Sequence, residues 1–280
     1  MSKLSDFSHL LVKPGKAVHL ARLSTDSTRH VPSRDKAELR TQLAAARIGE
    51  LQDALYSEGK QALLVILQGM DASGKDGTVR TVFGAVNPTG IQVTSFKQPS
   101  AEELRHDFLW RCHARVPPLG HVGVFNRSYY EDVLIVRVHA ERLLPPEQRQ
   151  KHVWEHRYRM INDFERSLSE TGTRVVKFFL HISREEQRER FIARQKDPAK
   201  HWKLAAGDFE ERKFWDDYQG AYEKALAGTA TEGSPWYAIP ADHKWVRNYY
   251  IAHIVCGILE KMNPAPPQVA DPSLVTHRFK

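Results

Sequence analysis

Cysteine is scarce: the chain of 280 residues has two, Cys112 and Cys256. Two thiols build neither a disulfide framework nor a zinc site by themselves, so each reads as a small buried hydrophobe. Long apolar runs are missing too. Ala62–Leu67 is far shorter than the ~20 residues a membrane-spanning helix needs. The first twelve residues carry Asp6 and lack the cationic head and apolar stretch of a secretory signal. These absences lead to the expectation of a cytoplasmic protein with no membrane partner. No internal repeat or long low-complexity stretch interrupts the chain. Zinc-finger, basic-zipper and RNP-type signatures are absent, so no nucleic-acid partner is expected.

What is present begins with charge. Lys and Arg number 41 against 34 Asp and Glu, a formal net charge of +7. Such an excess favours polyanions without choosing among nucleic acid, nucleotide or another polymer, and a solvated surface explains it as well. Hydrophobic residues make up 41% and charged residues 27%, which suits one large globular domain or a domain with a lid.

Hydrophobic patterning predicts strands alternating with helices. Asp35–Tyr56 reads as an amphipathic helix with Leu39, Leu43, Ala46, Leu51 and Leu55 near helical spacing. Strands are predicted at 62–67, 91–95, 121–125, 174–182 and 236–239. A capping box at Ser100–Glu103 predicts a helix to about Arg115, and a second at Ser183–Glu186 opens a short basic helix. Pro146 is expected to open a long helix with a stripe of Trp154, Tyr158, Ile161, Phe164 and Leu168. Asp208 is expected to open a helix to about Ala227, and Trp245–Met262 forms the last. The pattern implies an α/β fold: a parallel five-stranded sheet with helices on both faces and a helical lid at about 183–207. The kinase-sized domain would span 35–262, after an extension (1–34) and before a proline-rich tail (263–280).

Gly69-Met70-Asp71-Ala72-Ser73-Gly74-Lys75 matches G-x-x-x-x-G-K between a strand and a helix. Glycines let the backbone curl around phosphate oxygens, so that N–H groups and the helix dipole face the anion. Gly69, Ala72, Ser73, Gly74, Asp76 and Gly77 are therefore candidate phosphate-binding positions, and Lys75 adds a mobile charge. A plain glycine-rich turn is the bland alternative; the strand before and the helix after favour the cradle. The residue after the lysine should be Ser or Thr, a magnesium ligand, but is Asp76. A carboxylate there repels phosphate unless a cation intervenes, and Asp71 is the nearest substitute metal ligand.

After the third strand comes Asn126-Arg127-Ser128-Tyr129-Tyr130-Glu131-Asp132, where phosphate-loop enzymes place a metal-binding acid. Glu131 and Asp132 suit metal binding or positioning of an attacking phosphate; a solvated helix start is the alternative. The helix from Ser183 carries Arg190 and Arg194 on one face, followed by Lys200 and Lys203. Arginines clamping phosphoryl oxygens fit this pattern, and so does an ordinary charged surface helix. His152 and His156 read as surface residues, and Trp236, Tyr237 and Trp245 as core.

Four ordered segments, Gly69–Gly77, Phe125–Val133, Asp197–Lys203 and Pro235–Lys244, together resemble the polyphosphate kinase 2 family over about residues 36–260. The resemblance implies a thymidylate-kinase-like fold that transfers phosphate reversibly between inorganic polyphosphate and adenine nucleotides, with guanine as a second base. It further implies magnesium, with manganese as a substitute, and a homo-oligomer. Asp71, Lys75, Arg127, Asp132, Arg190 and Arg194 fall on positions that handle phosphate or metal, and Arg111 and Lys203 carry over less directly. Lys75, Asp71, Asp132, Glu131 and Arg127 form the implied catalytic set, with Asp71 and Asp132 on the metal. Many members have Asp at position 126 and Asn at position 131. The pattern here resembles a third class acting on both monophosphates and diphosphates. The rival reading is an ATP-dependent nucleotide or small-metabolite kinase on the same fold.

Overall fold

Every residue of β1 (Ala62–Gln68) is buried, as expected of a strand covered on both faces. The computed structural model describes residues 4–268 together with Asp271 and Val275. Its sheet adds β2 (Ile91–Ser95), β3 (Val122–Asn126), β4 (Thr173–His181) and β5 (Trp236–Pro240) in the order β2-β3-β1-β4-β5, all parallel. Leu67 lies opposite Asn126 and Gln68 opposite Phe179, so β1, β3 and β4 end side by side. The chain leaves β1 in one direction for β2 and later returns on the other side with β4. A crevice at the carboxyl ends of the strands forms where the order reverses.

Alternate residues of β1 feed two cores. Leu63, Val65 and Leu67 pack with Ile48 and Leu55 of α1 (Arg34–Glu58) and with Ile254 of α6 (Lys244–Met262). Leu64 and Ile66 join Ile161 of α3 (Val153–Glu170) and Leu226 of α5 (Trp215–Thr229). Between them lie α2 (Lys75–Val82), which leaves the glycine-rich loop, and α4 (Arg184–Gln195), which leaves β4. Among the described residues no helix is long and apolar enough to cross a membrane.

Several boundaries differ from the sequence reading. On α1, Leu39 and Leu43 are 56% and 60% exposed, and Ala46 is exposed too. The buried line runs instead through Ala37, Thr41, Ala44, Ile48, Leu51 and Leu55, whose small members let α6 approach closely. The reciprocal bonds of the Ser100 capping box form (2.7 and 3.2 Å) but open only a short turn at Glu103–Arg105. The Asp107 carboxylate then accepts from Leu109 N (2.9 Å), an Asx-type turn that competes with a continuing helix. The long helix begins at Val153, not Pro146, and the Asp208 helix breaks at Arg212–Phe214 before α5. The second capping box opens α4, with Ser183 Oγ accepting from Glu186 N at 3.0 Å. Trp236 and Tyr237 are core residues. The N-terminal extension is part of the body from residue 4 onward: Phe7 and Leu10 are buried, and Val12 N donates to Trp236 O (2.9 Å). Most of the tail after Gln268 lies outside the described residues.

One polar cluster sits inside the α3–α5 core. Lys177 on β4 is fully buried and pairs with Glu165 of α3. Glu165 Oε1 accepts from the hydroxyls of Tyr129 (2.9 Å) and Tyr130 (2.8 Å), while Lys177 Nζ also donates to Thr229 O (2.8 Å). Removing one member of such a pair strands a buried charge, whereas removing both does not. Lys177→Met alone is expected to lower unfolding free energy by about 3–5 kcal/mol in urea denaturation. Lys177→Met with Glu165→Leu is expected to recover most of the loss.

Candidate active site

The loop after β1 turns because its residues take conformations that side chains resist. Gly69 has φ +153° and Gly74 φ +101°. A Cβ on Gly69 would lie 2.7 Å from Leu180 O, so only glycine lets the loop press onto the end of β4. Ala72 (φ +62°) and, across the crevice, Arg127 (φ +63°) are non-glycine residues held left-handed. Each is strained by roughly 1 kcal/mol or more. Lys75 opens α2 and bends back, its Nζ donating to Gly69 O (2.7 Å) and Met70 O (3.3 Å). Burial, reinforced by Arg127, lowers its pKa to about 8 despite Asp71, Glu131 and Asp76.

The residues named from sequence meet at this loop. The Arg127 guanidinium pairs with Asp71. Glu131 and then Asp71 raise its pKa, so it stays charged. Turned to satisfy its neighbours, the buried Gln68 amide donates to Glu131 Oε1 (3.0 Å) and accepts from Ser128 N (3.1 Å). Asp76, the residue that broke the motif, is bridged: it accepts from Asn126 Nδ2 (2.8 Å) and from Lys203 Nζ (3.0 Å). Burial pushes the Asp76 carboxyl up, but the bonds from Lys203 and Asn126 outweigh it and leave its pKa lowered. The cation that this carboxylate required therefore comes from the lid, and the Lys203–Asp76 bridge latches lid to loop. Lys200 points elsewhere, to Asp197.

Two named residues stand apart from the clamp role. Arg190 is buried, and its donors are taken by Glu186 (2.8 Å), by the carbonyls of Ala72 and Ser73 (both 2.9 Å), and by those of Ala241 (2.6 Å) and Asp242 (2.8 Å). It holds the loop from behind, with no donor left for a phosphoryl group. Asp132 is mostly buried, 3.6 Å from Arg157, beside a cavity of about 730 Å³ that Arg111 also lines. Burial pushes its carboxyl up to about 6, against the pull of Arg157 and Arg111. Arg111 is itself fixed to Lys97 O (2.8 Å). His152 and His156 are exposed at the same cavity.

Sequence reasoning passed over three groups. Asp208, taken only as a helix start, faces Arg194 at 3.8 Å. Burial and then Asp71 raise its pKa, which places its charge near the loop. Gln187 Nε2 donates to Asp71 O (3.0 Å). Arg247, in a helix read only as the last apolar one, donates to Ser73 O (3.1 Å). A charged residue inside a run of buried positions was the available signal. Among the described residues no three His, Cys, Asp or Glu side chains gather closely enough to hold a metal unaided. Asp71 and Asp132 each offer a carboxylate, and each is paired with an arginine, Arg127 and Arg157 respectively.

With its pKa near 8, Lys75 is about half charged at that pH, and an anion in the loop favours the ammonium. Binding of tripolyphosphate at about pH 8 is expected to take up protons, seen by calorimetry in buffers of different ionisation enthalpy. Lys75→Arg, permanently charged, is expected to remove most of that uptake.

Residues 31–267 match the family described as polyphosphate kinase 2. The chain is 50% identical over 235 residues to an ADP-polyphosphate phosphotransferase of Rhodopseudomonas palustris, covering 82% of this chain and 81% of that one. It is 47% identical over 258 residues to an AMP/ADP-polyphosphate phosphotransferase of Meiothermus ruber, covering 92% and 94%. The crystal structure of polyphosphate kinase 2 from Arthrobacter aurescens TC1 superposes with a TM-score of 0.90 at 40% identity, over 98% of this chain and 97% of that one. A strand-loop-helix cradle, an Asn-Arg-Ser segment facing it and a lysine latch from the lid thus coincide with likeness along nearly the whole chain: it belongs to the polyphosphate kinase 2 family.

Proposed function

We propose that the protein transfers phosphoryl groups reversibly from inorganic polyphosphate to AMP and ADP, with guanine nucleotides as secondary acceptors. The observation that carries this reading is the convergence of Lys75, Arg127 and Lys203 on one glycine-rich loop. Each approaches from a different element: α2, the end of β3 and the lid. The acceptor's attacking atom is a phosphate oxygen, already anionic near neutral pH, so the chemistry needs alignment and charge neutralisation more than a base. The loop and Lys75 hold the donor, Arg127 neutralises the transferring group, and Lys203 ties the lid down over it. Arg194, beside Asp208, is a lid arginine with donors to spare. Asp71 and Asp132 would hold magnesium, with manganese as a substitute, and the ion would neutralise phosphate charge. The cavity between Arg111, Asp132 and Arg157 receives the acceptor. Leu39 and Leu43, exposed one helical turn apart on α1, suit burial between copies in a homo-oligomer, which light scattering would reveal.

The test is to incubate the purified protein with magnesium, polyphosphate and either AMP or ADP, in the absence of ATP, and to follow nucleotide products. ADP and ATP are expected. Turnover only when ATP is the donor would establish the rival, an ATP-dependent kinase on this fold. Lys75→Ala is expected to lower kcat/KM by about a hundredfold or more. Glu131→Asn, which cuts the bond from Gln68 and a charge beside Arg127, is expected to depress kcat/KM for AMP more than for ADP. Equal loss on both acceptors would remove Glu131 from acceptor choice.

A further inference from the structure

Arg247 is 2% exposed, and among the described residues no carboxylate pairs with it. Its Nε and one terminal nitrogen donate to Asn248 Oδ1 (3.2 and 2.9 Å), and the other donates to Ser73 O (3.1 Å). The guanidinium presses against the start of α2 with one terminal nitrogen foremost. A Cβ on Gly74 would fall 1.8 Å from it, and one on Gly77 3.3 Å. Arg190, a second buried guanidinium, shares the same Ser73 carbonyl (2.9 Å), and Glu186 is the carboxylate that pairs with it. Burial, then Arg190, lowers the Arg247 pKa to about 9.

A buried cation without a counter-charge is costly, and two side by side cost more. On the other side of the Ser73–Gly74 peptide lies the cradle, where a bound anion would supply a compensating charge. We propose that Arg247 is a positioning residue for the donor anion: a guanidinium behind the loop that fixes the Ser73 carbonyl away from the crevice, and whose charge is completed by polyphosphate in front. The inference rests on the reading of the loop as a polyphosphate site. It assigns Arg247 no contact with substrate.

Charge and packing at Arg247 are separable by substitution. Thermal unfolding is followed with and without tripolyphosphate and magnesium for wild type, Arg247→Met and Arg247→Lys. Wild type is expected to gain stability with tripolyphosphate. Arg247→Met is expected to melt no lower than wild type when free, because it loses an uncompensated charge, yet to bind tripolyphosphate about tenfold more weakly. Its KM for polyphosphate is expected to rise with little change in KM for ADP. Arg247→Lys keeps the charge and is expected to retain most of the tripolyphosphate-induced gain even where free stability falls. A Met variant with lowered free stability and unchanged tripolyphosphate affinity would overturn the proposal and leave Arg247 a packing residue. A Lys variant that binds no better than Met would overturn the role of its charge. Should wild type itself gain nothing from tripolyphosphate, the reading of the loop fails first, and the polyphosphate turnover assay identifies that case separately.

Discussion

A peptide loop can bind an anion only while its carbonyls face away from it. At Gly69–Lys75 that condition is met by side chains outside the loop. Arg190 reaches the carbonyls of Ala72 and Ser73 from α4, and Arg247 reaches Ser73 from α6. Left alone, Ala72 at φ +62° would relax, since a side chain disfavours that region. Two forks of donors offset the strain, and they also bring positive charge to the back of an anion site. The glycines make the turn sterically open, but the arginines hold it in one shape. The rest of the fold serves this arrangement: parallel strands ending level deliver the loop, the Arg127 segment and the root of α4 to one crevice.

The same logic explains Asp76. In isolation a carboxylate one residue beyond the lysine is a defect in a phosphate cradle. In the folded chain it is the anchor for Lys203, and Asn126 steadies it from β3. An amide at position 126 donates to Asp76 where a carboxylate could not while ionised. Asn126 and Asp76 are therefore complementary in this chain, an amide donor meeting a carboxylate acceptor.

Local sequence made much of this legible. The five strands, the cradle, both capping boxes and the lid helix follow from runs, glycines and side chains acting within a few residues. What escaped depends on distance in the chain. Leu39 and Leu43 fit a helical stripe, but the partner α6 is met through alanines, so burial followed close approach more than hydrophobicity. Arg190 and Arg194 share a helix face in sequence, yet the first turns inward to backbone carbonyls and the second stays by Asp208. No spacing rule distinguishes them, because the difference is set by Ala241 and Asp242, some fifty residues later. Arg247 stands out as a charge in a buried run, but its role was hidden for the same reason: its partner lies 174 residues away.

Arg190 and Arg247 also link loop geometry to lid position. Arg190 grips the loop with one nitrogen and the Ala241–Asp242 turn with another, while Asp242 accepts from Ser183 N at the root of α4 (2.8 Å). Loop, lid root and the segment leading to α6 thus share one hydrogen-bond network, and moving any of them breaks bonds in the others. The Asp197–Lys203 stretch stands outside this network. Its side-chain bonds are the local Asp197 cap, the Lys200–Asp197 pair, His201 to Gln195 O (2.9 Å) and the Lys203 bridge to Asp76, so displacing it breaks none of the network's bonds.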